Sequence, residues 1–206
     1  MTGVLWMEPT MAIEEPKYDV LLSQAPYELR HYTSTLIAET VVKGNLNTAS
    51  SKGFRLLADF IFGNNTIAGG EPCSQIAMTA PVTVEPLLAG FTGASIEGTN
   101  QWRIYFVMPS HLTLETIPTP NHSAVNLRQL PRKHVVVLRY SGFNTLSRVQ
   151  KKTKIALAWA KEQSLTVIGT PQLARYNPPW TLPMFRRNEI MLEVDMAEME
   201  PEFNSE

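Results

Sequence analysis

Hydrophobic and polar positions alternate with period two over many short stretches and follow a helical period over only two. Residues 18–22 form a short strand. Residues 27–42 alternate and are rich in β-branched side chains, which predicts a strand bent near 33–35. Residues 102–108 read as a strand, 125–140 as a second bent strand, 166–176 as extended and 189–196 as the last strand. Residues 75–86 are extended but contain Pro81, which predicts an edge or a bulge. Residues 49–62 form a helix, with Asn47, Thr48, Ser50 and Ser51 as N-cap candidates and Gly63-Asn64-Asn65 as the stop. Residues 145–163 form a second helix. The rest is loop: 1–16, the Gly/Thr-rich stretch 89–100, 113–123, the proline-punctuated 177–187, and an acidic end from 198.

The bent-strand pattern occurs twice. Tyr27-Glu-Leu-Arg-His-Tyr-Thr-Ser-Thr-Leu-Ile-Ala-Glu-Thr-Val-Val-Lys-Gly44 aligns without a gap on Val125-Asn-Leu-Arg-Gln-Leu-Pro-Arg-Lys-His-Val-Val-Val-Leu-Arg-Tyr-Ser-Gly142. Leu29 meets Leu127, Arg30 meets Arg128 and Gly44 meets Gly142. A helix and then an extended, proline-bearing segment follow each copy, which indicates a duplication. A strand–helix–strand–strand unit used twice buries its sheets together. The expected fold is therefore an α+β antiparallel barrel or sandwich with two helices. The domain is expected over 14–196, with halves of about 18–108 and 125–196, an arm at 1–13 and a tail at 197–206.

At about 100° per residue, Phe54, Leu57, Ala58 and Ile61 form the core stripe of the first helix. In the second helix the stripe is Leu146, Val149, Thr153, Ala156, Leu157 and Ala160. Leu56 and Phe60 fall nearly opposite in the first helix, beside Lys52, and Ile155 and Trp159 in the second, beside Lys151 and Lys152. Each helix is thus expected to show a second apolar strip. A loop, a partner protein, another copy of the chain or a flat apolar ligand with anionic edges would cover it.

Charge sharpens that picture. The formal net charge of -1 conceals segments of -5 over residues 1–98, +11 over 99–187 and -7 over 188–206. This is either balance within one globule or a site for an anionic ligand. No nucleic-acid-binding motif accompanies the basic residues, and a solvated helix face explains Lys151, Lys152 and Lys154 equally well. The single cysteine, Cys73, excludes an internal disulfide and a Cys-x-x-Cys metal site, and a reducing, cytoplasmic setting is expected. No apolar run has the length of a membrane span.

Catalytic signatures are missing. The chain has no Gly-rich phosphate loop, nucleophile elbow or His-Glu-x-x-His. Its four histidines lack metal spacing. His31 continues an alternation with Tyr27 and Leu29, His134 precedes an apolar strand, and His111 and His122 fall in loops. His31 and His134 are the candidates for an axial iron ligand, and spacing does not choose between them. The residues favour a binding domain over an enzyme.

Gln75-Ile-Ala-Met-Thr-Ala-Pro-Val-Thr83 resembles the signature of the SOUL haem-binding family. Glu15-Pro-Lys-Tyr-Asp-Val20, Tyr27-Glu-Leu-Arg30, Gly53-Phe-Arg-Leu-Leu57, Tyr105-Phe-Val-Met-Pro109, Ala174-Arg-Tyr-Asn-Pro-Pro-Trp180 and Arg186-Arg-Asn-Glu189 resemble further stretches of that family, in family order. The resemblance covers about 14–193. It implies a distorted antiparallel barrel of two pseudo-symmetric halves and two helices, and non-covalent binding of haem or a related porphyrin. It also implies a groove beside the first helix, closed by the loop before the last strand. In this chain that groove would use Lys52, Leu56 and Phe60 with Tyr176, Trp180, Met184, Phe185, Arg186 and Arg187. Apolar groups would cover the ring and basic groups would meet its propionates. A carrier, buffer or sensor is the function expected. The alternatives are a tetrapyrrole-modifying enzyme such as a metal dechelatase, with Tyr176 and the two histidines as proton donors or ligands, and a protein-interaction module that binds no pigment.

Overall fold

A computed structural model describes residues 13–67, 74–87 and 98–196. Cys73, most of the Gly/Thr-rich stretch, the arm up to residue 12 and the acidic tail lie outside the described residues. Among the described residues twelve strands and two α-helices follow in chain order: β1 (Tyr18–Gln24), β2 (Tyr27–Tyr32), β3 (Thr35–Lys43), α1 (Leu46–Ile61), β4 (Asn65–Thr66), β5 (Val82–Pro86), β6 (Gln101–Val107), β7 (Thr119–Pro120), β8 (Asn126–Leu130), β9 (Lys133–Tyr140), α2 (Leu146–Glu162), β10 (Thr166–Val167), β11 (Gln172–Arg175) and β12 (Asn188–Asp195). The bent strands break where expected, at Thr33–Ser34 and at Pro131–Arg132. Asn45 and Thr145 cap the helices by accepting the amides of Thr48 and Arg148. Among the described residues no helix is long and apolar enough to cross a membrane.

The main sheet runs β1-β2-β9-β12-β11-β5-β6-β3-β8, antiparallel throughout, with β10 on β12. It curls into a half-barrel. From β2 to β8 the order is palindromic under the duplication, since β2 corresponds to β8, β9 to β3, β12 to β6 and β11 to β5. The two sets of strands related by this correspondence meet across β11·β5, and the first strand of each set pairs with the second of the other. Gly44 and Gly142, aligned by the repeat, have φ of +137° and +105°, a conformation that β-carbon sterics penalise at each strand-to-helix corner.

Both helices pack on one face of the sheet. Leu29, Leu57, Phe60, Ile104, Phe106, Leu138, Trp159 and Leu192 belong to one core between helices and sheet. Gly53 allows close contact, because a β-carbon there would lie 2.7 Å from the Ile104 side chain. The opposite face carries smaller clusters around Tyr32, Val137 and Met191, and around Ile37 and Tyr105.

Three expectations are corrected. Pro81 is at no edge, because β5 lies in the middle of the sheet and Pro81 immediately precedes it. The second helix strips are not exposed. Phe60 is 1% and Trp159 5% exposed, because non-local segments cover them. Asn65 and Ile76 bond the carbonyls of Phe60 and Ile61, folding the returning chain over α1. Tyr27 stacks on Trp159 at 4.9 Å and Gln24 accepts its Nε1–H, so the β1–β2 hairpin covers α2. Phe54 and Leu146, assigned to the core, are partly exposed.

Candidate functional site

The loop between β11 and β12 places its apolar side chains outward. Trp180 is 82% and Phe185 71% exposed, and Leu182, Met184 and the neighbouring Phe143 are also exposed. A short 3-10 turn at Pro183–Phe185 holds the loop's crest. The Gly142 amide donates to the Pro183 carbonyl, and the Arg186 guanidinium lies 5.4 Å from the Phe143 ring centre. Arg186 also donates to the carbonyls of Thr181 and Pro179, tying the loop to itself. A surface this apolar has no folding reason to face water, which makes it a candidate contact surface.

Its base is clamped from the other face of the sheet. Glu189 is fully buried and accepts from Arg30 Nη1 at 2.9 Å and Nη2 at 3.1 Å, from Tyr176 Oη at 2.7 Å and from Arg187 Nε at 2.9 Å. Arg187 also pairs with Glu15 at 2.9 Å and lies 3.6 Å from the Tyr176 ring centre. Its amide donates to Asn177 Oδ1, closing the neck of the loop. Tyr176 and Arg187, both expected in the groove, thus belong to a buried network on the face away from the helices. Burial works to raise the Glu189 pKa, but the hydrogen bonds and charge of Arg30, with Arg187 and Tyr176, outweigh it and hold the carboxyl below its ordinary 4.5. A depressed folded-state pKa contributes stability that is complete above the unfolded value and lost as pH falls through the folded one. Urea midpoints measured by circular dichroism should therefore hold above about pH 5 and fall below it. Glu189→Gln should flatten that fall.

The helix-side face contributes a different row at the same end of the sheet. Tyr140, Asn188, Arg175, Val82 and Phe106 are cross-strand neighbours across β9, β12, β11, β5 and β6. Lys152 of α2 lies 5.5 Å from the Tyr140 ring centre, and Phe54 of α1 lies 5.5 Å from Phe106. Lys52 is about 200° around α1 from Phe54, so it and Leu56 occupy the other flank of that helix. Lys52 is exposed, Leu56 half-buried and Phe60 in the core. Of the nine residues expected to form the groove, the loop brings together Trp180, Met184, Phe185 and Arg186. Phe54, Phe143 and Arg175 were missed. Alternation with Leu173 on β11 was the available signal that Arg175 shares the core-side face.

His31 and His134 pair across β2 and β9 and stack with ring centres 4.8 Å apart. His134 is six residues along β9 from Tyr140, a distance of about 20 Å. The two imidazoles therefore lie at the end of β9 opposite Tyr140. No group of three or more His, Cys, Asp or Glu among the described residues could hold a metal ion.

Two cavities accompany these features. One of about 220 Å³ lies between residues 14–17, the β2–β3 turn and the segment after β6. One of about 30 Å³ lies beside Tyr32, Tyr105 and Tyr176. Both are smaller than the roughly 300–1,000 Å³ of sites that enclose a drug-sized ligand.

A family model described as SOUL heme-binding protein matches residues 13–193. No curated protein matches the chain in sequence. Among solved structures it is similar to the EcmrR C-terminal domain, at 10% identity, 86% of this chain, 98% of that chain and a TM-score of 0.61. It is also similar to an uncharacterized conserved protein from Listeria innocua, at 12% identity, 82% and 92% coverage and a TM-score of 0.57. A hydrolase from Listeria innocua matches at 13% identity, 82% and 91% coverage and a TM-score of 0.55. At these identities the likeness is one of fold.

Proposed function

The chain belongs to the SOUL haem-binding protein family, and from that premise we propose that it binds haem or a related tetrapyrrole non-covalently, as a cytoplasmic carrier, buffer or sensor. The observation that carries this reading is the exposed apolar crest of the β11–β12 loop. Trp180, Met184 and Phe185 offer faces to a flat ring, and Phe143, beside Arg186, widens the surface. At about 25 cal/mol per Å², covering a few hundred Å² there is worth several kcal/mol. That suits a ligand which must be released. A lone cysteine in the chain supports a reducing compartment.

The candidates for ring chemistry among the described residues are remote or committed elsewhere. The two histidines are at the far end of β9 and the Tyr176 hydroxyl is turned into the Glu189 network. Transport or buffering therefore fits better than removal of the metal. Titrating the purified protein with haem and with metal-free protoporphyrin tests this. Both should bind with comparable affinity, and the haem spectrum should keep its iron over hours. Conversion of haem to the metal-free spectrum would overturn the carrier reading in favour of an enzyme.

A further inference from the structure

Among the described residues Arg175 is a cation without a counter-ion. Its Nε is enclosed and has no hydrogen-bond partner, and no ion pair among the described residues includes it. Other enclosed cations are paired: the buried Arg30 with Glu189, and the half-buried Arg187 and Lys133 with Glu189 and Glu193. Burial lowers the Arg175 pKa, with Tyr140 opposing and the charge of Arg186 adding to the effect. An unpaired guanidinium in such a place is costly unless something anionic completes it. Its neighbours deepen the imbalance. Arg186 and Arg148 donate only to main-chain carbonyls, and Lys152 faces the Tyr140 ring. Four cations thus converge at one end of the helix-side face, and among the described residues no carboxylate pairs with any of them.

The geometry points to Arg175 as the residue that receives a carboxylate of the bound ligand, with Lys152, Arg148 and Arg186 as its electrostatic surround. Arg187, adjacent to Arg186 in sequence, is excluded by its commitment to Glu189 and Glu15. In the cross-strand row Arg175 lies midway between Phe106, on which Phe54 packs, and Tyr140, three residues before Phe143, so a planar ligand laid along that row would present its acidic edge to the guanidinium. A fork of two parallel N–H donors suits a carboxylate bidentately. This assignment rests on the tetrapyrrole reading, and adds which edge of the molecule is held and by which group.

The test compares iron protoporphyrin IX with its dimethyl ester, which keeps the ring and lacks the free carboxylates. Wild-type protein should bind the acid about 10- to 100-fold more tightly, the range of a charged hydrogen bond. Arg175→Gln should erase that preference while leaving affinity for the ester unchanged. Its melting temperature should not fall, because the substitution removes a half-buried cation whose enclosed Nε is unpaired. Lys152→Gln, on a half-buried helix residue, should reduce the preference by a few-fold. Equal wild-type affinity for acid and ester would overturn the carboxylate site and leave tetrapyrrole binding standing. A preference that survives in Arg175→Gln would place the site elsewhere, and a lowered melting temperature would make Arg175 structural. Binding of neither compound would overturn the tetrapyrrole reading itself.

Discussion

Glu189→Ala should lower stability by about 3–5 kcal/mol, the usual cost of breaking a buried ion pair from one side. For a domain of this size that is a fall of roughly 6–20 °C in melting temperature. The carboxylate has no exposure and accepts four hydrogen bonds from Arg30, Tyr176 and Arg187. Its removal leaves the Arg30 guanidinium, 2% exposed, with only the half-buried Glu28 as a charge partner. Much of the penalty comes from that stranded charge. Arg30→Met combined with Glu189→Leu should therefore cost less than Glu189→Ala alone, an interaction that a double-mutant cycle in urea reads directly. A melting temperature within about 2 °C of wild type for Glu189→Ala would show that the network does not hold the sheet together. The same variant should weaken ligand binding, because Tyr176, Arg187 and Glu189 flank the loop on both sides and fix its neck.

Trp180→Ser with Phe185→Ser should lower haem affinity by about two orders of magnitude or more. If each ring loses about 80 Å² of contact with the porphyrin, the loss is about 2 kcal/mol per side chain, or roughly 30-fold each. Folding should be nearly unaffected, since both side chains already face water and such substitutions usually change stability by less than about 0.5 kcal/mol. The pair thus separates binding from stability in the opposite sense to Glu189→Ala. Unchanged haem affinity in the double variant, read from the Soret band, would show that the crest is not the contact surface.

The parts of this fold that were legible in sequence are local. Alternation located most strands, the helical period located both helices, and the gapless repeat from Tyr27 to Val125 matches the palindromic strand order. The cap of α1 is Asn45, ahead of the candidates Asn47, Thr48, Ser50 and Ser51, which lie within the helix. The two bends fell at Thr33–Ser34 and Pro131–Arg132 because proline and short polar residues interrupt pairing there. What escaped is what distant segments decide. Phe60 and Trp159 lie off their helices' main apolar stripe, and only the return of Ile76 and the hairpin at Tyr27 turns those positions inward. Arg186 and Arg187 look equivalent in sequence. One residue of strand alternation sends Arg187 into the Glu189 network, while Arg186 stays with the loop. Arg175 looked unremarkable because a missing counter-ion is a property of tertiary neighbours, not of spacing. The loop's aromatic residues were identified through the family resemblance, and their outward exposure required the structure.

The most direct measurement is an absorption titration of the wild-type protein with haem at micromolar concentration, followed in the Soret region. A saturable shift that ends at one equivalent, accompanied by quenching of Trp180 emission, is the result expected. A Soret band that stays that of free haem at every ratio would contradict tetrapyrrole binding by this chain.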